Sequence, residues 1–102
     1  MGDSLGNVML GYDTTVPVTI EDMIHHTRPV ARAVKNTLVI ADMPFGSYNE
    51  SIPQAVHEAN RMVKETNCDA IKLEGGVEFA PVVKAIIQAG IPVIGHIGLT
   101  PQ

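Results

Sequence analysis

Between Leu38 and Phe45 the chain reads Leu-Val-Ile-Ala-Asp-Met-Pro-Phe, an apolar run that stops at one carboxylate with a proline two residues later. A short continuous apolar run of this kind predicts a buried strand of a parallel sheet, because helices packed on both faces remove the polar alternation. Side chains alternate along a strand, so Leu38, Ile40 and Asp42 share one face and Val39 and Ala41 the other. The acid is therefore expected on the same side as two core residues, at the carboxyl end of the strand. Ligands of open α/β sheets and of βα barrels bind at that edge. A turn cap ahead of Pro44 is the other role open to Asp42.

Helical periodicity surrounds this strand. Thr19 is placed to cap a helix with Glu21 and Asp22 in its first turn, and Ile20, Met23, Ile24, Thr27, Val30, Ala31 and Val34 form its apolar stripe. Pro29 predicts a kink or break near His26 to Arg28, since proline removes a donor and crowds the preceding turn. His25 and His26 are adjacent, about 100° apart on a helix, so they cannot face one metal and read as surface or boundary positions. A second helix is expected after Ser51, with Pro53 in its first turn, Ile52, Ala55, Val56, Ala59, Met62 and Val63 buried, and Asn67 as its C-terminal cap.

Two further strands follow. In Ala70 to Glu74, Ile71 and Leu73 point one way and Lys72 and Glu74 the other; in a barrel the first pair meets the helices and the second the lumen. A third helix spans about Val77 to Gln88 and ends at Gly90, and Ile91 to His96 reads as the third strand. The opening six residues read as the end of a preceding element or as a disordered terminus with a turn, and Asn7 to Pro17 as a loop with room for one short strand. Strand–helix alternation of this kind belongs to folds that need more chain than 102 residues, so a piece of a larger domain is expected.

Composition narrows the function. A formal net charge of −4 with no basic patch argues against nucleic acid or an acidic membrane surface as partner. No apolar run approaches the ~18 residues of a membrane span and no signal-peptide pattern is visible, so a cytoplasmic location is expected. The single cysteine, Cys68, precedes an apolar strand and reads as a small buried hydrophobe.

Three strand ends and the opening segment thus deliver Asp3, Asp42, Lys72, Glu74 and His96 to one sheet edge. Separated carboxylates without clustered cysteine or histidine suit a hard, oxygen-seeking cation, and a water-retaining magnesium site needs only one or two of them. A lysine beside them complements an anionic substrate, so the set describes a carboxylate or enolate held against a metal. A simple strand-face ion pair between Lys72 and Glu74 is the alternative.

Five runs carry a resemblance: Gly2 to Gly6, Gly11 to Thr19, Ala41 to Phe45, Ile71 to Gly76, and Gly95 to Gln102. In this order they resemble the ketopantoate hydroxymethyltransferase family, over nearly the whole chain. The resemblance implies a TIM-type βα barrel, here about the end of its second strand to its fifth with three intervening helices. It further implies magnesium, and transfer of a one-carbon unit from 5,10-methylenetetrahydrofolate to the 2-oxo acid 3-methyl-2-oxobutanoate on the way to pantothenate and coenzyme A. Carried over residue by residue, it makes Asp3, Asp42 and Glu74 the metal site. It has Asp3, Ser4, Asp42 and Lys72 contact the substrate, and sets His96 in or beside the active site. No residue of this chain matches the family's general base, a glutamate expected beyond Gln102. The family is multimeric, so a homo-oligomer is implied, and a three- or four-stranded piece with open edges is expected to self-associate and not to turn over.

Two rivals share part of this logic. Ala41-Asp42-Met43-Pro44 resembles the phosphoacceptor segment of receiver domains, although later strands there end in a hydroxyl residue and a lysine, not in Glu74 and His96. Magnesium-dependent 2-oxo-acid barrels of the phosphoenolpyruvate mutase and isocitrate lyase group share the acid at the strand end but not the run from Gly95 to Gln102.

Overall fold

A computed structural model describes residues 1–102. The elements are α1 (Leu5–Val8), α2 (Ile20–Ala33), β1 (Ile40–Asp42), α3 (Ile52–Thr66), β2 (Ala70–Glu74), a 3-10 turn (Val77–Phe79), α4 (Ala80–Gln88) and β3 (Val93–His96). The long helices start where side chains satisfy their free amides. Thr19 Oγ1 accepts from Asp22 N at 3.1 Å while Asp22 Oδ2 accepts from Thr19 N at 3.0 Å, a reciprocal cap. Ser51 Oγ accepts from Gln54 N at 3.2 Å, and α3 ends at Asn67 with φ 63 in the left-handed region.

The strands form one parallel sheet in the order β1-β2-β3, with Asp42 opposite Lys72 and Glu74 opposite His96. Met1 extends the sheet beyond β1: its ammonium donates to Ile40 O and its carbonyl accepts from Asp42 N at 3.0 Å, the bonding of a parallel-ladder residue opposite Ala41. The opening segment is thus anchored to the sheet before it enters α1, a helix that the sequence did not signal. No strand forms between Asn7 and Pro17.

The sheet has two unlike faces. Ala41, Ile71 and Leu73, each at most 1% exposed, point to the helices and meet Met23 and Ile24 of α2, Ala55, Ala59 and Met62 of α3, and Ile86 of α4. The opposite face carries Ile40, Asp42, Lys72, Glu74, Ile94 and His96. The expectation that helices cover both faces of the strand in Leu38 to Phe45, now β1, is therefore corrected. Leu38, predicted to share a buried face with Ile40 and Asp42, is 71% exposed, and β1 is only three residues long.

Other differences have local causes. Pro29 does not break α2: it and His25 are both exposed, so water can reach the His25 carbonyl, which loses its helical donor. The third helix opens as a 3-10 turn at Val77, and its α-helical part begins at Ala80. β3 starts at Val93 because Pro92 has no N–H, although its carbonyl still accepts from Ile71 N at 3.1 Å. Ile52, counted in the buried stripe of α3, is 40% exposed in the first turn. Cys68 is buried, and burial pushes its thiol above the ordinary value, which keeps it an inert hydrophobe. No helix is long and apolar enough to cross a membrane.

Candidate active site

In a parallel ladder, directly paired residues project to the same face, so the register alone sets two couples of ionisable side chains next to each other at the carboxyl edge. Lys72 Nζ lies 3.0 Å from Asp42 Oδ2, and His96 Nδ1 lies 3.2 Å from Glu74 Oε1. The Lys72 ammonium thus turns to Asp42, its opposite number across the ladder, leaving Glu74 to the imidazole. Asp3 arrives from the opening segment, where its backbone N–H donates to the same Asp42 Oδ2 at 3.2 Å. Asp3, Asp42 and Glu74 are all buried.

Ser4 stands at the start of α1 with an exposed side chain that makes no capping bond. A Cβ at position 2 would stand 3.2 Å from Ser4 Oγ and 3.4 Å from Asp42 Oδ2, so the glycine there keeps open a small space bounded by both oxygens.

Burial raises the Asp3 carboxyl above its ordinary value, a hydrogen bond from Gln102 works against that, and the charges of Asp42 and Glu74 raise it further. Three carboxylates thus face one ammonium. No three His, Cys, Asp or Glu side chains converge closely enough to share a metal ion. Asp3 and Asp42 are neighbours, whereas the oxygens of Glu74 are turned to His96 and to the backbone N–H of Gln102, the latter at 3.1 Å.

Tyr48 and Gln102 also belong to the site, and sequence reasoning gave neither a role. The Tyr48 hydroxyl accepts from Glu74 N at 3.1 Å and donates to Gln102 Oε1. The Gln102 amide nitrogen donates to Asp3 Oδ2 at 2.6 Å and to Met43 O at 3.1 Å. Tyr48 is held in turn by Phe79, edge to face at 5.5 Å, and the Phe79 ring occupies the space where a Cβ on residue 75 would fall, which only Gly75 at φ +140 permits. Burial, with the charges of Glu74, Asp3 and Asp42 adding to it, pushes the Tyr48 phenol up to about 12, so it stays a donor at neutral pH. A cleft of about 180 Å³ opens beside these groups, bounded by Phe45, Tyr48, Glu74, Phe79, Thr100 and Gln102. A larger groove of about 530 Å³ runs between α4 and β3; it shares Phe79 with the cleft, but its walls, including Leu73, Val83, Ile87 and Ile97, are largely apolar and carry none of Asp3, Asp42, Lys72, Glu74, Tyr48 and Gln102.

A profile of the ketopantoate hydroxymethyltransferase family matches residues 1–102, the whole chain. The chain belongs to this family. It is 64% identical over 102 residues to the 3-methyl-2-oxobutanoate hydroxymethyltransferase of Heliobacterium modesticaldum and 60% identical to that of Moorella thermoacetica. A relative of the same name from Desulfotalea psychrophila is 58% identical. Each match covers all of this chain but only 37%, 38% and 37% of the respective relative, so the chain spans less than two fifths of the curated family members it matches. All five family-like runs lie inside the matched region, and four of them supply residues of the site: Gly2 to Gly6, Ala41 to Phe45, Ile71 to Gly76 and Gly95 to Gln102.

Proposed function

We propose that this chain forms part of the catalytic barrel of a ketopantoate hydroxymethyltransferase, and that its acidic cleft holds 3-methyl-2-oxobutanoate while a one-carbon unit arrives from 5,10-methylenetetrahydrofolate. The observation that carries this reading is the meeting of Asp3, Asp42 and Lys72 at the carboxyl edge of one parallel sheet. A sheet with helices on one face and charge on the other is the arrangement of consecutive βα units of a barrel. In barrels, the residues at the carboxyl ends of the strands form the active site.

The residues present suit magnesium. Asp3 and Asp42 are hard oxygen donors from adjacent segments, a glycine keeps the space beside them open, and the burial and neighbouring negative charge that raise the Asp3 carboxyl are offset by a cation. Two carboxylates completed by water and substrate oxygens are an ordinary magnesium donor set, so the absence of a three-ligand cluster is no obstacle. When bound, magnesium supplies Lewis-acid stabilisation of negative charge on the substrate oxygens.

The protein groups then have distinct tasks. Lys72, steadied by Asp42, sets a positive charge where the substrate's carboxylate and the negative charge developed on deprotonation need it. Ser4, free of a capping bond, has a hydroxyl to give to the substrate. Glu74 orients His96 at the rim and holds the tail through Gln102 N. The base that removes the proton from C3 of the substrate lies outside these residues, in the glutamate that the family resemblance places beyond Gln102. The open edge of β3 and the apolar groove against α4 support association with further chain or with other copies.

Ligand-observed NMR tests this reading. Saturation transfer to 3-methyl-2-oxobutanoate is expected to require magnesium and to vanish in Asp42→Asn; binding indifferent to both would overturn the assignment. Residues 1–102 alone are expected not to release product, since the base is absent, and magnesium-dependent turnover by them would contradict that division of labour.

A further inference from the structure

Gln102 lies 99 residues from Asp3 in sequence and yet makes the closest contact to its carboxylate, 2.6 Å from Nε2 to Oδ2. The same side chain bonds Met43 O and Tyr48, and the backbone N–H of the same residue reaches Glu74 Oε2. Tyr48 completes a closed circuit, because its oxygen also accepts from the Glu74 backbone. One residue therefore holds one oxygen of each of two carboxylates that no other pair of contacts links, and Oδ1 of Asp3 takes none of these bonds. Among buried carboxylates of like charge, side chains turn away from one another unless donors fix them. Losing a group that orients a metal ligand from behind typically weakens metal affinity by about 10- to 100-fold.

We propose that Gln102, braced by Tyr48, is a positioning residue that fixes the rotamers of Asp3 and Glu74 so that the free oxygen of Asp3 faces the cation-binding space beside Asp42. The inference rests on the magnesium reading above for its purpose, and on the hydrogen-bond circuit for its existence. Tyr48 matters through Gln102: without the phenol, Oε1 loses its donor and the amide is free to turn over.

Two readouts on the 102-residue chain separate the circuit from the metal reading. Without metal, three-bond couplings are expected to show one χ1 rotamer for Asp3 in the parent chain and averaged rotamers in Gln102→Leu, with a smaller effect in Tyr48→Phe. Both variants keep side-chain volume, and thermal unfolding with the amide NMR fingerprint checks that each remains folded. With Mn2+ as a paramagnetic probe, Gln102→Leu is expected to weaken binding by about tenfold or more. Tyr48→Phe is expected to weaken it less, and Gln102→Asn, whose shorter amide still carries the donor, to restore part of the loss in Gln102→Leu. An Asp3 rotamer that stays single in folded Gln102→Leu overturns the proposal. So does Mn2+ affinity equal to the parent's. Fixed rotamers in a parent chain that takes up no Mn2+ would support the circuit and overturn the metal reading instead.

Discussion

The two faces of the three-stranded sheet are made by alternate residues of the same strands, yet they have opposite characters. On one, Ala41, Ile71 and Leu73 vanish beneath three helices; on the other, Asp42, Lys72, Glu74 and His96 keep charge at the edge, and Ile94 remains 43% exposed. Stability is concentrated on the first face because burial of apolar surface is what holds a small domain together. The second sets Asp42 against Lys72 and Glu74 against His96, with Asp3 bonded to Asp42, and so gathers ionisable groups where the first gathers hydrocarbon. The core and the candidate site are thereby separated by a step of one residue along the chain.

Substitutions on the two faces should break that separation in opposite ways. Ile71→Ala, on the fully buried face, is expected to cost about 3 kcal/mol in denaturant unfolding, from lost burial plus the cavity left behind. Lys72→Met, on the charged face, keeps its packing stem and should cost less, about 1–2 kcal/mol, because the ammonium is partly solvated although its partner Asp42 is buried. Its effect falls on the proposed function, with 3-methyl-2-oxobutanoate binding weakened by about a hundredfold, on the scale seen when one partner of a hydrogen-bonded charge pair is removed from a complex.

Acid sharpens the contrast further. The folded-state carboxyl of Asp3 is raised above its unfolded value, so its stabilising share is complete below the unfolded value and is lost as pH rises through the folded one. Without metal, the chain should therefore lose this contribution on going from mild acid to neutral pH. Asp3→Asn should raise the neutral-pH Tm and flatten that part of the profile, at the expense of cation binding. The smallest effect is expected under the helices. Thr27 is fully buried with a hydroxyl that has no partner, so Thr27→Val should stabilise by about 1 kcal/mol, measurable as a higher Tm.

Much of this was legible where a local rule decides. α3 announces itself by Ser51, an apolar stripe and Asn67, and the strand ends deliver Asp42, Lys72, Glu74 and His96 because parity in a strand is rigid. α1 gave no signal since four residues, one of them Gly6, carry no period; it is held by Leu5, buried in the core. Leu38 misled because an apolar run does not say how many faces will be covered, and that depends on chain packed from elsewhere. Tyr48 has no local signature, and Gln102, although it closes a family-like run, has none that gives it a partner. Their meeting spans 54 residues and depends on Gly75 admitting Phe79, a relation that only the folded chain displays.

The central claim is that these residues supply the substrate-binding half of a hydroxymethyl transfer, and a chimera tests it most directly. In it, residues 1–102 replace the matching 37% of the Heliobacterium modesticaldum relative, and transfer from 5,10-methylenetetrahydrofolate to 3-methyl-2-oxobutanoate is assayed with magnesium. The account predicts a working enzyme that loses about a hundredfold or more in rate when Asp42→Asn is introduced. A folded chimera that is inactive, or one whose activity survives that substitution, would contradict it.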